Sequence, residues 1–304
     1  MSKKVKTPIR YAGGKSKAID IITPHVLEYD KIISPFIGGG SLEVHWSSNL
    51  NKKVIGYDVF DVLVNFWNTI LKNPKKLSEK LKEIKPNKEE YNKIKELLMS
   101  NTTTQNMLKD WPTNHYKREN VITLDDLTLA AYYYFNHNCS YGPGYLGWGS
   151  SVYLNEDKWV KTIEKIGNFN CPNLKVYQNA FDESIKKHTN EFLYLDPPYY
   201  LEKDSDNKMH KGMYPMKNID VHHSGFDHEL LRDLLLNHKG DFVLSYNNCE
   251  TIRDYYSDFD FYFPEWSYSM SNGEKRIGKN RTDLNEGEIV KKSHEILIVK
   301  KNKN

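Results

Sequence analysis

Cysteine is scarce: Cys139, Cys171 and Cys249 are the only three in 304 residues, and no Cys-x-x-Cys occurs. That disfavours a disulfide framework and a thiolate zinc site, and free thiols fit a reducing compartment, so a cytoplasmic location is expected (host cytoplasm or nucleus for a phage or viral protein). Long apolar runs are absent as well. Nothing approaches a membrane span, and no apolar stretch follows the short basic N-terminus as a signal peptide would need. Charge of one sign is not in excess. Lys and Arg number 43 against 40 Asp and Glu, a net +3, which neither demands nor excludes nucleic acid. His222, His223 and His228 stand near one another, but no acid or Cys at ligand spacing supports a metal, so they read as surface or loop residues and no metal is expected.

What is present is concentrated in a few places. Phe192-Leu193-Tyr194-Leu195 reads as a buried strand, and Asp196-Pro197-Pro198-Tyr199 ends it. Each proline lacks an N–H and fixes φ, so the ladder stops there. The resulting tip offers a carboxylate at Asp196, a free carbonyl at Pro197 and a flat ring at Tyr199, a set suited to gripping a planar amino group. Upstream, Ile32-Ile33 leads into Ser34-Pro35-Phe36-Ile37-Gly38-Gly39-Gly40-Ser41-Leu42-Glu43, read as strand, glycine turn and a helix from Leu42 to about Ser47. Three glycines let a ligand approach the main chain. A second strand, Val54 to Tyr57, ends at Asp58, an acid placed to take both hydroxyls of a ribose. A dinucleotide fingerprint would need Gly where Glu43 stands, which disfavours NAD. A phosphate-binding loop around Gly14-Lys15-Ser16 would need Gly where Ile9 stands.

The middle of the chain has a different character. From Asp61 to about Phe135 the apolar spacing is helical: Leu77, Leu81 and Ile84 share one face, and Tyr91, Ile94, Leu97 and Leu98 another, with Pro86 between. Thr102-Thr103-Thr104 reads as a polar loop, Leu129 to Phe135 as a buried helix, and Cys139 to Gly149 as a Gly-rich aromatic hairpin. The strand pattern returns after Pro172. Leu174 to Tyr177 is a strand leading to Phe181, a helix runs from an Asp227 cap to Gly240, Phe242 to Ser245 is a strand, and a helix starts near Glu250. Residues 259–269 and 295–300 are expected to pair as an antiparallel hairpin. The architecture is thus an α/β domain, 1–60 with 172–304, interrupted by a mainly helical insert, 61–171.

Arg10-Tyr11-Ala12-Gly13-Gly14-Lys15, then the Pro35–Glu43 segment, Tyr57-Asp58, and Asp196–Tyr199, in that order, resemble the Dam-like (D12-class, alpha-group) DNA adenine-N6 methyltransferases. Phe226 to Leu231, Gly240 to Asn248 and Glu295 to Val299 are similar to that family too. Ala180 departs from it, standing where an acid often precedes Phe181. The resemblance implies a class I, Rossmann-like methyltransferase fold with a mostly parallel sheet, and methyl transfer from S-adenosylmethionine to N6 of an adenine flipped out of double-stranded DNA. It implies catalytic roles for Asp196, Pro197, Pro198 and Tyr199. Tyr11, Lys15, Phe36, Gly38, Gly39, Gly40, Asp58, Asn179, Phe181 and Asp196 would form the cofactor site. The 138–148 loop, through Asn138, Ser140, Tyr141 and Tyr145, is expected to enter the duplex, and Lys275, Arg276, Lys279 and Arg281 to grip phosphates. A cognate restriction endonuclease is an admissible partner, and the chain is expected to be a monomer or weak dimer. Two rivals stay open: a methyltransferase for RNA or another planar amino group, and a DNA-binding relative without catalysis.

Overall fold

The computed structural model describes residues 4–107, 117–142, 144–200, 226–264 and 295–302. Seven strands form one sheet: β1 (Lys31–Ser34), β2 (Lys53–Asp58), β3 (Leu174–Gln178), β4 (Leu193–Leu195), β5 (Phe242–Asn247), β6 (Asp260–Tyr262) and β7 (Glu295–Lys300). Their order is β3-β2-β1-β4-β5-β7-β6. The first five run parallel, and β7 is antiparallel to both β5 and β6. The expected closing hairpin is there, with Asp260 opposite Val299 and Tyr262 opposite Leu297. This mostly parallel sheet with an antiparallel C-terminal strand is consistent with the class I methyltransferase fold.

The helices are α1 (Ile19–Ile22), α2 (Ser41–Val44, continued by a π turn over His45–Asn49), α3 (Asp61–Lys72), α4 (Pro74–Lys82), α5 (Lys88–Ser100), α6 (Thr102–Met107), α7 (Asp126–Cys139), α8 (Glu156–Gly167), α9 (Phe181–Lys187), α10 (His228–Asn237) and α11 (Glu250–Tyr255). Side chains alternate across each strand, so the sheet feeds two cores. Ile32, Val54, Tyr194, Val243 and Val299 face the core that also holds α3 to α8. Ile33, Leu193, Leu195, Leu244 and Ile298 face Ile185 of α9, Leu231 and Leu235 of α10 and Ile252 of α11. Helices therefore cover both faces, which is why the central strands are near-continuous apolar runs.

The helices of the 61–171 segment share their core with the sheet. Phe66 of α3 stacks flat on Tyr134 of α7, ring centroids 5.2 Å apart, while α3 also packs on β3. Local signals set the boundaries. Asn73 caps α4 by accepting from Lys76 N at 3.1 Å with Pro74 in the first turn, and Asn87 caps α5 by accepting from Glu90 N at 2.8 Å. Three sequence expectations are corrected. Residues 102–104 open α6, because Asn101 bridges to Ile122 and the buried Thr104 hydroxyl meets Tyr145 Oη at 2.6 Å, so a polar-looking threonine run is anchored inward. His228 is no loop residue; it begins α10 and bonds Tyr246 Oη, next to Asp227, which caps that helix through Leu230 N. The helix itself ends at Asn237, short of Gly240, because His238 is already extended. His222 and His223 lie outside the described residues.

Candidate active site

Strands β1 and β4 are neighbours, but the chain leaves β1 toward β2 and reaches β5 after β4. The crevice between such diverging connections, at the carboxyl ends of the strands, is where open α/β sheets bind ligands. Both short motifs converge there, although 156 positions separate Gly40 from Asp196.

Hydrogen bonds from several elements hold the loop after β1. Ile37 N donates to Tyr57 O at 2.9 Å, Gly40 N to Ile37 O at 2.8 Å, and Trp67 Nε1 to Gly38 O at 3.0 Å. Gly38 and Gly40 have φ of +46° and +60°, the left-handed region that favours glycine. At Gly39 the limit is space: a Cβ would run into that of Tyr11, whose ring lies over the loop and stacks on His137 with centroids 5.6 Å apart. Asp58 braces the same loop, accepting from Gly38 N and Phe60 N, each at 3.0 Å. Burial raises its pKa to about 6, against the pull of those N–H groups.

Lys15 crosses from the N-terminal segment to the tip of β4. Its Nζ lies 2.7 and 2.9 Å from the two Asp196 oxygens and 3.0 Å from Tyr199 Oη. Tyr199 Oη donates in turn to Glu295 at the start of β7, whose other oxygen accepts from Ser245 Oγ at 3.1 Å. Lys15 is 4 % exposed and Asp196 22 %, so the pair is largely dry while the carboxylate keeps an open side. Burial works against the charge on Lys15, but Asp196 and then Glu295 outweigh it and hold the lysine's pKa above the ordinary value. Burial pushes the Asp196 carboxyl up, opposed by Lys15, and pushes Glu43 and Glu295 to about 7.

A cavity of about 60 Å³ opens between these elements. Lys15, Glu43, Tyr194, Asp196 and Tyr199 line it together with the Gly38–Gly40 backbone. Beside it, Phe36 stacks on Phe181 with centroids 5.6 Å apart, and Phe226 closes on both at 5.7 and 4.9 Å. Asn179 lies at the end of β3 and its Oδ1 accepts from Ala180 N at 3.1 Å, turning the chain into α9. Among the described residues no donor meets the Pro197 carbonyl, and Asn247 Nδ2 fixes the far end of the tip through Tyr200 O at 2.9 Å. Pro198 sits half-buried between the buried Pro197 and Tyr199. Tyr199 is buried with its hydroxyl engaged, and it lines the cavity. Tyr200 packs edge-on against His228 and Tyr255.

The 138–148 loop needs correction in its details. An antiparallel bridge, Ser140 to Gly149, closes it as a hairpin-like turn. Three of its four expected DNA-contacting side chains point inward. Tyr145 is 1 % exposed and bonded to Thr104; Ser140 Oγ bonds to His137 O and Gly142 O; Asn138 binds Arg10 through its Oδ1 and its carbonyl. The aromatics offered to solvent are Tyr141 and Trp148, each 81 % exposed, with Lys95 Nζ 5.4 Å from the Trp148 ring centre. Lys275, Arg276, Lys279 and Arg281 lie outside the described residues. Sequence reasoning missed Glu43, Tyr194, Phe226 and Glu295 as site residues and passed over Trp148. The signal for Glu43 and Tyr194 was present: both sit within the motifs, next to residues that were chosen.

A family model described as D12 class N6 adenine-specific DNA methyltransferase matches residues 11–270 of this chain. Two curated proteins are similar at low identity. "Modification methylase StsI" of Streptococcus sanguinis is 24% identical over 310 residues, covering 97% of this chain and 43% of that protein. "Type II methyltransferase M.FokI" of Planomicrobium okeanokoites is 24% identical over 296 residues, covering 92% of this chain and 42% of that protein. The chain thus spans less than half the length of the curated relatives it matches.

Proposed function

We propose, from the premise that this chain belongs to the D12 class N6 adenine-specific DNA methyltransferase family, that it methylates N6 of adenine in double-stranded DNA at a specific sequence. The observation that carries the reading is the Asp196–Tyr199 tip set at the switch point against the Gly38–Gly40 loop. S-adenosylmethionine supplies a methyl group on a positively charged sulfur when bound.

The residues fit that cofactor. The glycine loop offers main chain where a Cβ would collide, and among the described residues three carboxyl groups gather around Lys15 and the buried Tyr194 hydroxyl has no partner. The cavity has room for only a few heavy atoms, so a nucleoside would extend over Phe36, Phe181 and Phe226, a flat aromatic surface for its base. Asp58 touches the loop through Gly38 N, and its carboxylate would accept from the ribose hydroxyls. Asn179 would offer its Nδ2 to the base edge, and Tyr11 with Lys15 would close the pocket over the methionine part.

Asp196 and the Pro197 carbonyl would each accept one hydrogen from the target N6. That favours a more tetrahedral nitrogen with its lone pair directed at the methyl group. The in-line displacement asks mainly for position and for negative charge near the developing ammonium. Lys15, by holding both Asp196 oxygens, fixes the carboxylate's plane and favours its ionised form against the effect of burial. The nitrogen's surplus proton leaves afterwards to Asp196 or to water. Tyr199 would meet the adenine with its ring. Tyr141 and Trp148, exposed on their turn, would contact the duplex from which the base must flip.

The names of the two relatives support a place in a restriction–modification system with a cognate endonuclease. No described helix is long and apolar enough to cross a membrane, which suits a protein acting on DNA in the cytoplasm. The test is transfer of tritium from methyl-labelled S-adenosylmethionine to duplex DNA, to structured RNA and to protein. Label in DNA alone supports the reading; label in RNA or protein alone replaces it.

A further inference from the structure

The electrostatics of the cavity go beyond recognition of a cofactor. Glu43 is 3 % exposed and lines the cavity wall, where Ser34 Oγ donates to its Oε1 at 2.7 Å. It makes no ion pair among the described residues. Among the described residues the buried cation nearby is Lys15, already bonded to both oxygens of Asp196, and Glu295 stands behind Tyr199 on the same network. One ammonium thus faces three carboxyl groups in a dry site, a deficit of positive charge. A second observation points to a ligand there. Tyr194, 1 % exposed, lines the same cavity with a hydroxyl that has no partner among the described residues. A buried orphan hydroxyl costs stability unless a bound molecule completes it.

We propose that Glu43 makes this cavity a receptor for positive charge, so that the protein takes the cofactor by its sulfonium and releases the neutral thioether left after transfer. The inference rests on the reading of this site as an S-adenosylmethionine pocket. Methyl transfer moves the positive charge from sulfur to the acceptor nitrogen, and the charge is then lost as a proton. What attracted the cofactor is absent from its product. A carboxyl group hydrogen-bonded by a neutral serine suits this role. It is fixed in place, yet among the described residues no cation pairs with it directly, Lys15 acting on it only at a distance while bonded to Asp196. Its pKa near 7 supports the idea, because an arriving cation would stabilise its ionised form. Glu43 is here a specificity-determining residue for the cofactor's charge state, distinct from Asp196, which faces the target amine.

The experiment is calorimetric titration of the full chain at pH 8 with three probes. These are S-adenosylmethionine, S-adenosylhomocysteine, and sinefungin, which carries an ammonium in place of the sulfonium. Both cationic probes should bind at least about tenfold tighter than S-adenosylhomocysteine, and Glu43→Gln should cut that ratio below about threefold. Gln keeps an oxygen for Ser34, and a far-ultraviolet thermal melt checks that the variant is folded. Ser34→Ala, which removes the hydroxyl but keeps the charge, should preserve the tenfold ratio. If the wild-type protein binds all three probes alike, the inference fails while the methyltransferase reading stands. A folded Glu43→Gln that retains the full preference also overturns it. If none of the three binds, both the pocket assignment and the inference fall.

Discussion

Asp196 and Lys15 are coupled more tightly than a catalytic residue and its neighbour need be. Lys15 is 4 % exposed, and its Nζ spends two of its hydrogen bonds on Asp196. Removing one partner of a buried pair strands the other charge in a dry site. Asp196→Ala should therefore destabilise the fold by about 3 kcal/mol as well as abolish methyl transfer. Combined with Lys15→Met it should cost less than the sum of the two single changes, because no unpaired charge remains. Urea denaturation of the four proteins measures this, and strict additivity would mean the pair is solvated. At Asp58 the expectation differs. Asp58→Ala should weaken S-adenosylmethionine binding by on the order of 1.5–3 kcal/mol for each ribose hydrogen bond lost. It should also loosen the glycine loop, since the carboxylate holds Gly38 N. Unchanged calorimetric affinity would move the ribose contact elsewhere.

Among elements, the glycine loop and the 138–148 turn make opposite demands. Gly40 combines a left-handed φ of +60° with Trp67 lying 2.7 Å from where a Cβ would stand. Gly40→Ala should cost about 1–3 kcal/mol through strain. In the turn, two aromatics of similar chemistry should separate cleanly. Tyr145→Phe removes a buried hydrogen bond to Thr104 and should cost about 1 kcal/mol of stability while DNA binding persists. Trp148→Ala should leave stability within about 0.5 kcal/mol but reduce base flipping or sequence discrimination. A thermal melt with 2-aminopurine fluorescence reads both, and the reverse pattern would show that the turn is structural. This is where the sequence was least legible. The Asp196 tip, the Gly38–Gly40 loop and Asp58 could be found because strand, turn residue and acid are adjacent in the chain. Tyr145 and Trp148 lie in a Gly-rich stretch without a period of 2 or 3.6, so nothing local says which ring turns inward. α6 was hidden in the same way, its threonines anchored by Ile122 and Tyr145 from distant parts of the chain.

The molecule as a whole brings acids together that no sequence window contains. Glu43, Asp196 and Glu295 come from three separate segments and meet only because β1, β4, β5 and β7 lie side by side. That is why Glu295 could be read only as part of a strand. The packing has a consequence for stability. Burial raises Glu43 and Glu295 from an ordinary 4.5 to about 7, and Asp58 from 3.8 to about 6. Between those limits these three acids keep protons that the unfolded chain has lost, so their own contribution to stability falls as pH rises from about 4.5 to 7, while His137, whose pKa burial lowers to about 3, contributes in the opposite direction. The loss should be roughly 1–3 kcal/mol per group, and the double variant Glu43→Gln, Glu295→Gln should flatten it. Urea midpoints of the wild-type and double-variant proteins at pH 5, 6, 7 and 8 isolate that contribution, and a wild-type-minus-variant difference that does not fall through that window would contradict the burial of these acids.

The central claim is that this tip and this loop methylate adenine in DNA. It is tested most directly by identifying the product base. Duplex DNA incubated with the protein and S-adenosylmethionine is digested to nucleosides and analysed by mass spectrometry, with Asp196→Ala as control. The account predicts N6-methyl-2′-deoxyadenosine from the wild-type protein and its loss, by at least about tenfold or 1.4 kcal/mol, from the variant. Methylated cytosine, no methylated base at all, or an Asp196→Ala protein that works normally would contradict it.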